Sequence, residues 1–136
     1  GGLPTVSATD ALKASAITIS LFGSMCIPGN PMPAIDITGV KHANVISMFE
    51  GRSVTLTDPI KHLSNWIVLS YLWMGATTWT IATQGSEALK KQVAKVHAVA
   101  WALAVALLAY NKQPWQCGAY FINTIVAAVC ASAGFS

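Results

Sequence analysis

Apolar and polar positions along this chain form long blocks separated by short polar breaks. The clearest block is basic at first, becomes apolar at Val93 and stays apolar to Tyr110. Within it only Lys95 and His97 interrupt the apolar run. Since about 20 apolar helical residues cross the hydrocarbon core of a bilayer, we predict a transmembrane helix over residues 86–111.

Two further blocks have the same character. Asp58-Pro59 is a typical helix start, with aspartate as the N-cap and proline at the first helical position. The segment 58–84 has no charged side chain after its first turn, and the segment 117–135 has none at all. Together with 86–111, these segments predict an all-α integral membrane protein with three transmembrane helices.

A very short turn joins the first two of these helices. Gly85 ends the helix 58–84 and Ser86 caps the next one, since glycine favours helix C-termini and serine accepts from the free amides at N-termini. A connection of this length predicts that the two helices run antiparallel and lie side by side.

Small side chains recur at every fourth position on two of the predicted helices. They are Ala94, Ala98, Ala102 and Ala106 on one helix and Thr124, Ala128 and Ser132 on the other. Residues four apart stack on one helix face, and small residues let helix backbones approach closely inside lipid. We therefore expect both ridges to be packing surfaces.

The first 57 residues lack a block of this length. Residues 1–27 are predicted to form a flexible tail and a short helix, capped by Thr9 or Asp10 and ending near Cys26. This helix is shorter than an ordinary span, so we predict a fourth, membrane-associated helix near the N-terminus. The prolines and glycine that follow stop regular structure and predict a long irregular loop over 28–57, draped over a partner subunit.

The composition indicates that these helices lie in a membrane and are not the core helices of a soluble protein. The 136 residues include only 8 Lys or Arg and 5 Asp or Glu, whereas about a quarter of the residues in a soluble domain are charged. We therefore predict one membrane domain over 1–136, with lipids and other membrane subunits covering its surface. The net charge of +3 is spread along the chain, which argues against a nucleic-acid partner.

Candidate chemistry is sparse. The chain contains no Gly-rich phosphate loop, no GxSxG and no HExxH, so we predict that it is not an enzyme and has no soluble substrate. The three cysteines, Cys26, Cys117 and Cys130, form no CxxC pair, and we expect buried, inert thiols.

Three side chains are candidate ligands for a pigment. His97 ranks first, since neutral imidazole binds the central metal of a tetrapyrrole and a histidine inside a span is a functional candidate. A hydrogen-bonded structural histidine is the alternative. Asn123, an amide in a charge-free span, is either a ligand or an interhelical hydrogen-bonding group. His62 is third, and it lies too far along the neighbouring helix to share a haem with His97. Beyond axial ligation by His97, we predict no metal site.

In general organisation the chain resembles small accessory subunits of photosystem and antenna supercomplexes in algal plastids. The shared features are a start at Gly1 that looks processed, the loop 28–57, short connections between Trp-rich spans and an abrupt end at Ser136. The Glu-x-x-His/Asn-x-Arg motif of light-harvesting antenna proteins is absent. The resemblance implies a non-catalytic thylakoid subunit that bridges its neighbours and binds a few chlorophylls or carotenoids.

A second resemblance is to the small cytochrome b anchor of succinate dehydrogenase, which has a similar length and three spans with a histidine in one. It implies a mitochondrial inner-membrane anchor that works with haem and quinone. Those anchors follow their histidine with an Asp-Tyr pair, where this chain has Tyr110-Asn111. The departure argues against haem.

Overall fold

The chain is mostly helical, as the sequence predicts. The computed structural model describes residues 5–30 and 32–136. The helices are α1 Ala8–Met25, α2 Val45–Glu50, α3 Asp58–Gln84, α4 Glu87–Tyr110 and α5 Ala119–Phe135, with strands β1 Ala34–Ile35 and β2 Lys41–His42 and a 3₁₀ turn at Trp115–Cys117. Residues 1–4 of the predicted tail, and Pro31 among the predicted breakers, lie outside the described residues.

Helices α1 and α3 run antiparallel in close contact. The start of α1 meets the end of α3, where Lys13 Nζ lies 5.4 Å from the centre of the Trp79 ring. The end of α1 meets the middle of α3, where a Cβ added at Gly23 would lie only 2.8 Å from Tyr71 Cβ. The absence of a side chain at Gly23 therefore sets how closely the two helices approach.

Helices α4 and α5 form the other close antiparallel pair. A Cβ added at Gly134, near the end of α5, would lie 2.8 Å from the backbone nitrogen of Lys95 near the start of α4. Helix α1 runs parallel to α4, since Lys90 Nζ donates to Thr9 Oγ1 at 2.9 Å and Trp101 Nε1 donates to Ser15 at 2.8 Å.

The prediction that α3 and α4 lie side by side is wrong. Helix α1 packs on α3, on α4 and on α5, whereas α3 and α4 contact each other little. The reason is where the small residues lie: Gly75 of α3 faces Ala16 of α1. Ala94 and Ala98 of α4 share one buried cluster with α1 and α5, to which α3 contributes only Ala82, near the turn. The turn at Gly85 joins α3 and α4 in sequence, but α1 holds them apart.

The predicted ridges are packing surfaces only in part. Ala94 and Ala98 are buried, but Ala102 and Ala106 further along α4 are exposed. The ridge of Thr124, Ala128 and Ser132 on α5 is exposed throughout. Helix α5 packs instead through a different stripe, made of Ala119, Val126, Cys130, Ala133 and Gly134. The spacing of small residues therefore predicted one packing face on each helix, but a neighbouring helix covers only part of the face on α4 and leaves the face on α5 exposed.

The segment 28–57 is not an irregular loop, contrary to the prediction. Strands β1 and β2 form a short antiparallel hairpin, closed by Asp36, whose Oδ1 accepts from the backbone nitrogens of Thr38 and Val40. Gly39 supplies the positive φ of 88° that the turn requires. Side-chain bonds of this kind build compact turns that hydrophobic periodicity does not reveal.

Helix α2 is the second element in this segment, and capping explains it. Asn44 caps its N-terminus by accepting from Ser47 N at 2.8 Å, and Gly51 ends it with a φ of 68°. A Cβ at Gly51 would lie 2.9 Å from Pro114, and Ile37 N donates to Gln116 O at 2.9 Å. The hairpin and α2 therefore lie against the α4–α5 connection, at what we call the loop end of the bundle.

The caps of the long helices differ slightly from the predictions. Ser7, and not Thr9 or Asp10, caps α1 by accepting from Asp10 N at 3.1 Å. Helix α3 begins one residue earlier than predicted, with Thr57 as its N-cap residue and Asp58 in its first turn. Ser86 caps α4 as predicted, accepting from Leu89 N at 3.2 Å.

Among the described residues, α4 is the one helix that is both long and apolar enough to cross a membrane. Helix α5 is apolar but only 17 residues long, and the other long helices are α1 with 18 residues and α3 with 27. All four carry large apolar side chains on their outer faces.

Candidate functional site

An apolar cleft of about 650 Å³ lies between α3 on one side and α4 and α5 on the other. It exists because α1 separates α3 from α4 and forms a wall between them. Helix α2 closes part of the cleft at the loop end, with Met48 and Phe49 among the lining residues. Small-molecule sites in proteins typically occupy about 300–1,000 Å³, so the cleft has the size of a binding site.

An aromatic cluster fixes the walls of the cleft. The ring of Phe22 on α1 packs edge-to-face with Phe49 of α2 at 5.2 Å and with Tyr71 of α3 at 5.1 Å between ring centroids. Each such pair contributes about 0.5–1.5 kcal/mol beyond area burial. The cluster therefore holds three helices in register at this level of the bundle.

Most of the cleft lining is apolar, and its polar groups are few. Thr18 of α1 and Ser64 and Tyr71 of α3 contribute hydroxyls, and Gln113 and Asn123 contribute amides. Within the described ranges, the lining includes no Lys, Arg or His and one acidic residue, the exposed Glu50. The lining is therefore uncharged apart from its rim.

A polar cluster lies beside the cleft, between α1 and α4. Ser15 is fully buried and contacts two side chains of α4. Trp101 Nε1 donates to Ser15 Oγ at 2.8 Å, and His97 Nδ1 lies 2.6 Å from the same oxygen. The Trp101 ring also lines the cleft. One tryptophan thus joins the cleft to the buried serine.

These contacts are compatible with either tautomer of neutral His97. Tryptophan only donates, so Ser15 Oγ accepts from Trp101 and can give its own hydrogen to His97 Nδ1. The proton of the neutral imidazole is then on Nε2. In the other tautomer, Nδ1–H donates to the second lone pair of Ser15 Oγ and Nε2 is free to bind a metal. Among the described residues, no side chain or backbone group bonds with Nε2.

The structure separates the three predicted ligand residues. Asn123 lines the cleft. His97 is half-buried and is not among the lining residues, but it shares the Ser15 hydroxyl with Trp101, which does line the cleft. His62 is exposed on the first two turns of α3 and is not among the residues that line the cleft. No single site therefore contains all three.

The cysteines and the residue types that bind metals are also candidates for a site. Cys26, Cys117 and Cys130 are buried and free, as predicted. Over the ranges that the structure describes, no group of three or more His, Cys, Asp and Glu side chains is placed to hold a metal ion.

His42 is partly buried in the hairpin. Its Nε2 lies 2.9 Å from Asp36 Oδ2, across the hairpin. The hydrogen bond with His42, and after it the bond from Thr38, holds the pKa of Asp36 well below the usual aspartate range. This pair stabilises the hairpin at the loop end.

Sequence reasoning missed Ser15, Ser64 and Tyr71. Each is a polar side chain within an apolar helix, and that signal was present. No local pattern distinguishes Ser15 from the other serines of the chain, because its partners His97 and Trp101 lie more than 80 positions away.

Comparison with known proteins adds no family. No protein-family model matches the chain, and no curated protein or solved structure matches it. Its function is therefore argued from the geometry described above.

Proposed function

We propose that this protein is a non-catalytic, membrane-embedded subunit of a larger complex. The observation that supports this most is the apolar outer surface of the bundle. All four long helices expose large apolar side chains, among them Ile17 and Leu21, Trp66 and Trp73, Val99 and Leu103, and Ile122 and Ile125. Contiguous apolar surface of this extent is characteristic of proteins that lipid or a partner covers.

In this proposal α3, α4 and α5 cross the membrane and α1 is the fourth membrane-associated helix. Support comes from lysines that lie over aromatic rings at one end: Lys13 over Trp79, and Lys95 over Phe135 at 5.7 Å. Lysine stems cover apolar surface there while their ammonium groups can reach water. At the loop end, Tyr110 is exposed, in the position of an interfacial aromatic residue.

The complex that we propose is a photosynthetic supercomplex of the plastid thylakoid, in which the chain bridges neighbouring subunits and binds chlorophylls or carotenoids. The short connections between Trp-rich helices, which the chain shares with plastid accessory subunits, support it. His97 is the first candidate ligand, with Asn123 and His62 after it. The residues around His97 fit that role, because in the tautomer whose Nδ1–H donates to Ser15 Oγ, Nε2 is free to ligate, and such outer bonds orient ligating histidines. A bound tetrapyrrole or carotenoid would supply light absorption.

The test is to follow the full chain in native membranes. We expect it to resist alkaline carbonate extraction, to co-migrate with other membrane proteins in mild detergent and to carry chlorophyll or carotenoid absorption. Release by carbonate would overturn the membrane assignment, and migration as a free monomer would overturn the subunit role.

The absorption spectrum decides between the two resemblances. A pigment-free complex would remove the photosynthetic version of the proposal. A b-type haem band in the reduced-minus-oxidised spectrum would favour the respiratory anchor in its place.

A further inference from the structure

We infer that the cleft between α3 and α4–α5 binds one uncharged lipid, whose apolar chain fills the cleft and whose carbonyl or hydroxyl groups bond with Ser64, Tyr71 and Asn123. This inference rests on the membrane placement proposed above, and not on the photosynthetic role. It assigns an occupant to a cavity for which the protein's own side chains provide none.

The inference rests on polar side chains in the cleft that have no hydrogen-bond partner among the described residues. Ser64 is only 4% exposed and lines the cleft, yet among the described residues none hydrogen-bonds with its hydroxyl. The Tyr71 hydroxyl and the Asn123 amide belong to half-buried residues and likewise have no hydrogen-bond partner among the described residues. Among the described residues no side-chain polar atom is both buried and unpaired, so these groups are open to the cleft, whereas other helix hydroxyls here bond with a carbonyl four residues back, as Thr18 does with Ala14. A ligand with matching groups would satisfy all three.

The positions of these groups suit a ligand with more than one polar atom. Ser64 and Tyr71 are seven residues apart on α3, which places them two turns and about 10 Å apart on one helix face. Asn123 lies on α5, on the opposite wall. Hydroxyls donate and accept, and the amide does both, so ester carbonyls and a free hydroxyl are complementary to this set.

The charges of the residues that line the cleft favour a neutral head group. No cation among the described lining residues would pair with a phosphate or a carboxylate, and Glu50 at the rim would repel either. An unpaired charge in an apolar cleft is strongly unfavourable. A neutral diacylglycerol-type lipid meets both requirements, since it has ester and hydroxyl groups and no charge.

Size and access favour a lipid over a helix of a partner protein. A helix with its side chains is about 10–12 Å across, so 650 Å³ corresponds to only one to two turns of helix. The rim residues Leu63, Leu107 and Ile122 are exposed on the outer apolar face. The cleft is therefore open to the bilayer itself, from which a slim chain can enter.

The experiment uses a diacylglycerol that carries a photoreactive diazirine in one chain, added to membranes that contain the full chain. We expect cross-links on cleft-lining residues of α4 and α5. Ala104→Phe fills the cleft and should reduce labelling roughly tenfold, the effect of about 1.4 kcal/mol. Ala102→Phe, an exposed position on the same helix, is the matched control and should label like the wild type. Equal labelling of both variants, or cross-links confined to the outer faces, would overturn the inference.

Two further probes test head-group recognition. The double variant Tyr71→Phe and Asn123→Leu should lower diacylglycerol labelling but not labelling by a diazirine alkane. Phosphatidic acid with the same chains should label the wild type less than diacylglycerol does. An equal loss for both probes, or equal labelling by the anionic lipid, contradicts recognition of a neutral head group.

Failure of this inference is distinguishable from failure of the proposed function. A chain that resists carbonate and co-migrates with partners, but shows no cleft labelling, retains its subunit role and loses only the lipid site. A labelled chain that migrates alone retains the lipid site and loses the subunit role.

Discussion

Ser15 Oγ lies 2.6 Å from Nδ1 of His97, which joins α1 to α4 between residues 82 positions apart in sequence. The same oxygen accepts from Trp101 Nε1 at 2.8 Å. Since Ser15 is completely buried, these contacts replace every interaction with solvent that its hydroxyl would otherwise make. The arrangement fixes the rotation of α4 against α1 and, through the Trp101 ring, one wall of the cleft.

Ser15→Ala is expected to destabilise the bundle by about 1–2 kcal/mol, because the half-buried Trp101 loses the acceptor of its N–H and His97 loses its hydrogen-bond partner. The measurement is reversible unfolding of the purified chain in detergent, followed by circular dichroism. Ser70→Ala, at an exposed position on α3, is the control and should change stability by less than about 0.5 kcal/mol. Equal effects of the two substitutions would mean that the polar cluster adds nothing to stability.

His97→Ala is expected to lower the amount of pigment bound per chain, because it removes the imidazole that the proposed function assigns as first ligand. Pigment content is measured by absorption after solvent extraction of the purified complex. His62→Ala removes an exposed imidazole and should lower it less. Unchanged pigment in His97→Ala, combined with reduced stability, would identify His97 as a structural histidine only.

Gly23→Ala tests the close approach of α1 and α3. Alanine in a helix interior is normally favoured over glycine by about 1 kcal/mol. Here the added Cβ would lie 2.8 Å from Tyr71 Cβ, and overpacking typically costs about 1–3 kcal/mol. We therefore expect destabilisation, measured by the same detergent unfolding.

The control for Gly23→Ala has to measure the effect of helix propensity alone. Ser70→Ala serves this purpose, because it also replaces a poorer helix former with alanine, but at an exposed position where no neighbouring helix is in the way. A Gly23→Ala protein that is more stable than the wild type would show that α1 and α3 do not approach as closely as described.

The hairpin is expected to loosen in acid. Hydrogen bonds with His42 and then Thr38 lower the pKa of Asp36 in the folded state, so its ionised form stabilises the hairpin. That contribution is complete above the ordinary aspartate pKa of about 3.9 and is lost as the pH falls below it towards the folded-state pKa. The amide resonances of Thr38 and Val40, which donate to Asp36, should report the change in an NMR titration.

Asp36→Asn should abolish this acid response, since the amide does not titrate. Asp58→Asn, an exposed position in the first turn of α3, is the control and should leave the hairpin response intact. An unchanged titration in Asp36→Asn would assign the acid response to another group.

Much of the helical framework could be predicted from the sequence because its signals are local. Long apolar blocks, the Gly85-Ser86 turn and the proline after Asp58 predicted α3, α4 and α5 to within about two residues at most ends. The hairpin and α2 were missed because their causes are single side-chain bonds and caps, from Asp36 and Asn44, within a segment rich in proline and glycine.

The sequence by itself determined that the chain is helical, apolar on its surface and nearly free of candidate chemistry, because composition and periodicity act over a few neighbouring residues. Only the tertiary structure decided which helices touch. Gly23 and Gly75 bring α1 onto α3, and the pairing of Ser15 with His97 and Trp101 brings α1 onto α4. The separation of α3 from α4, and with it the cleft, results from contacts between residues far apart in the chain, which no local pattern encodes.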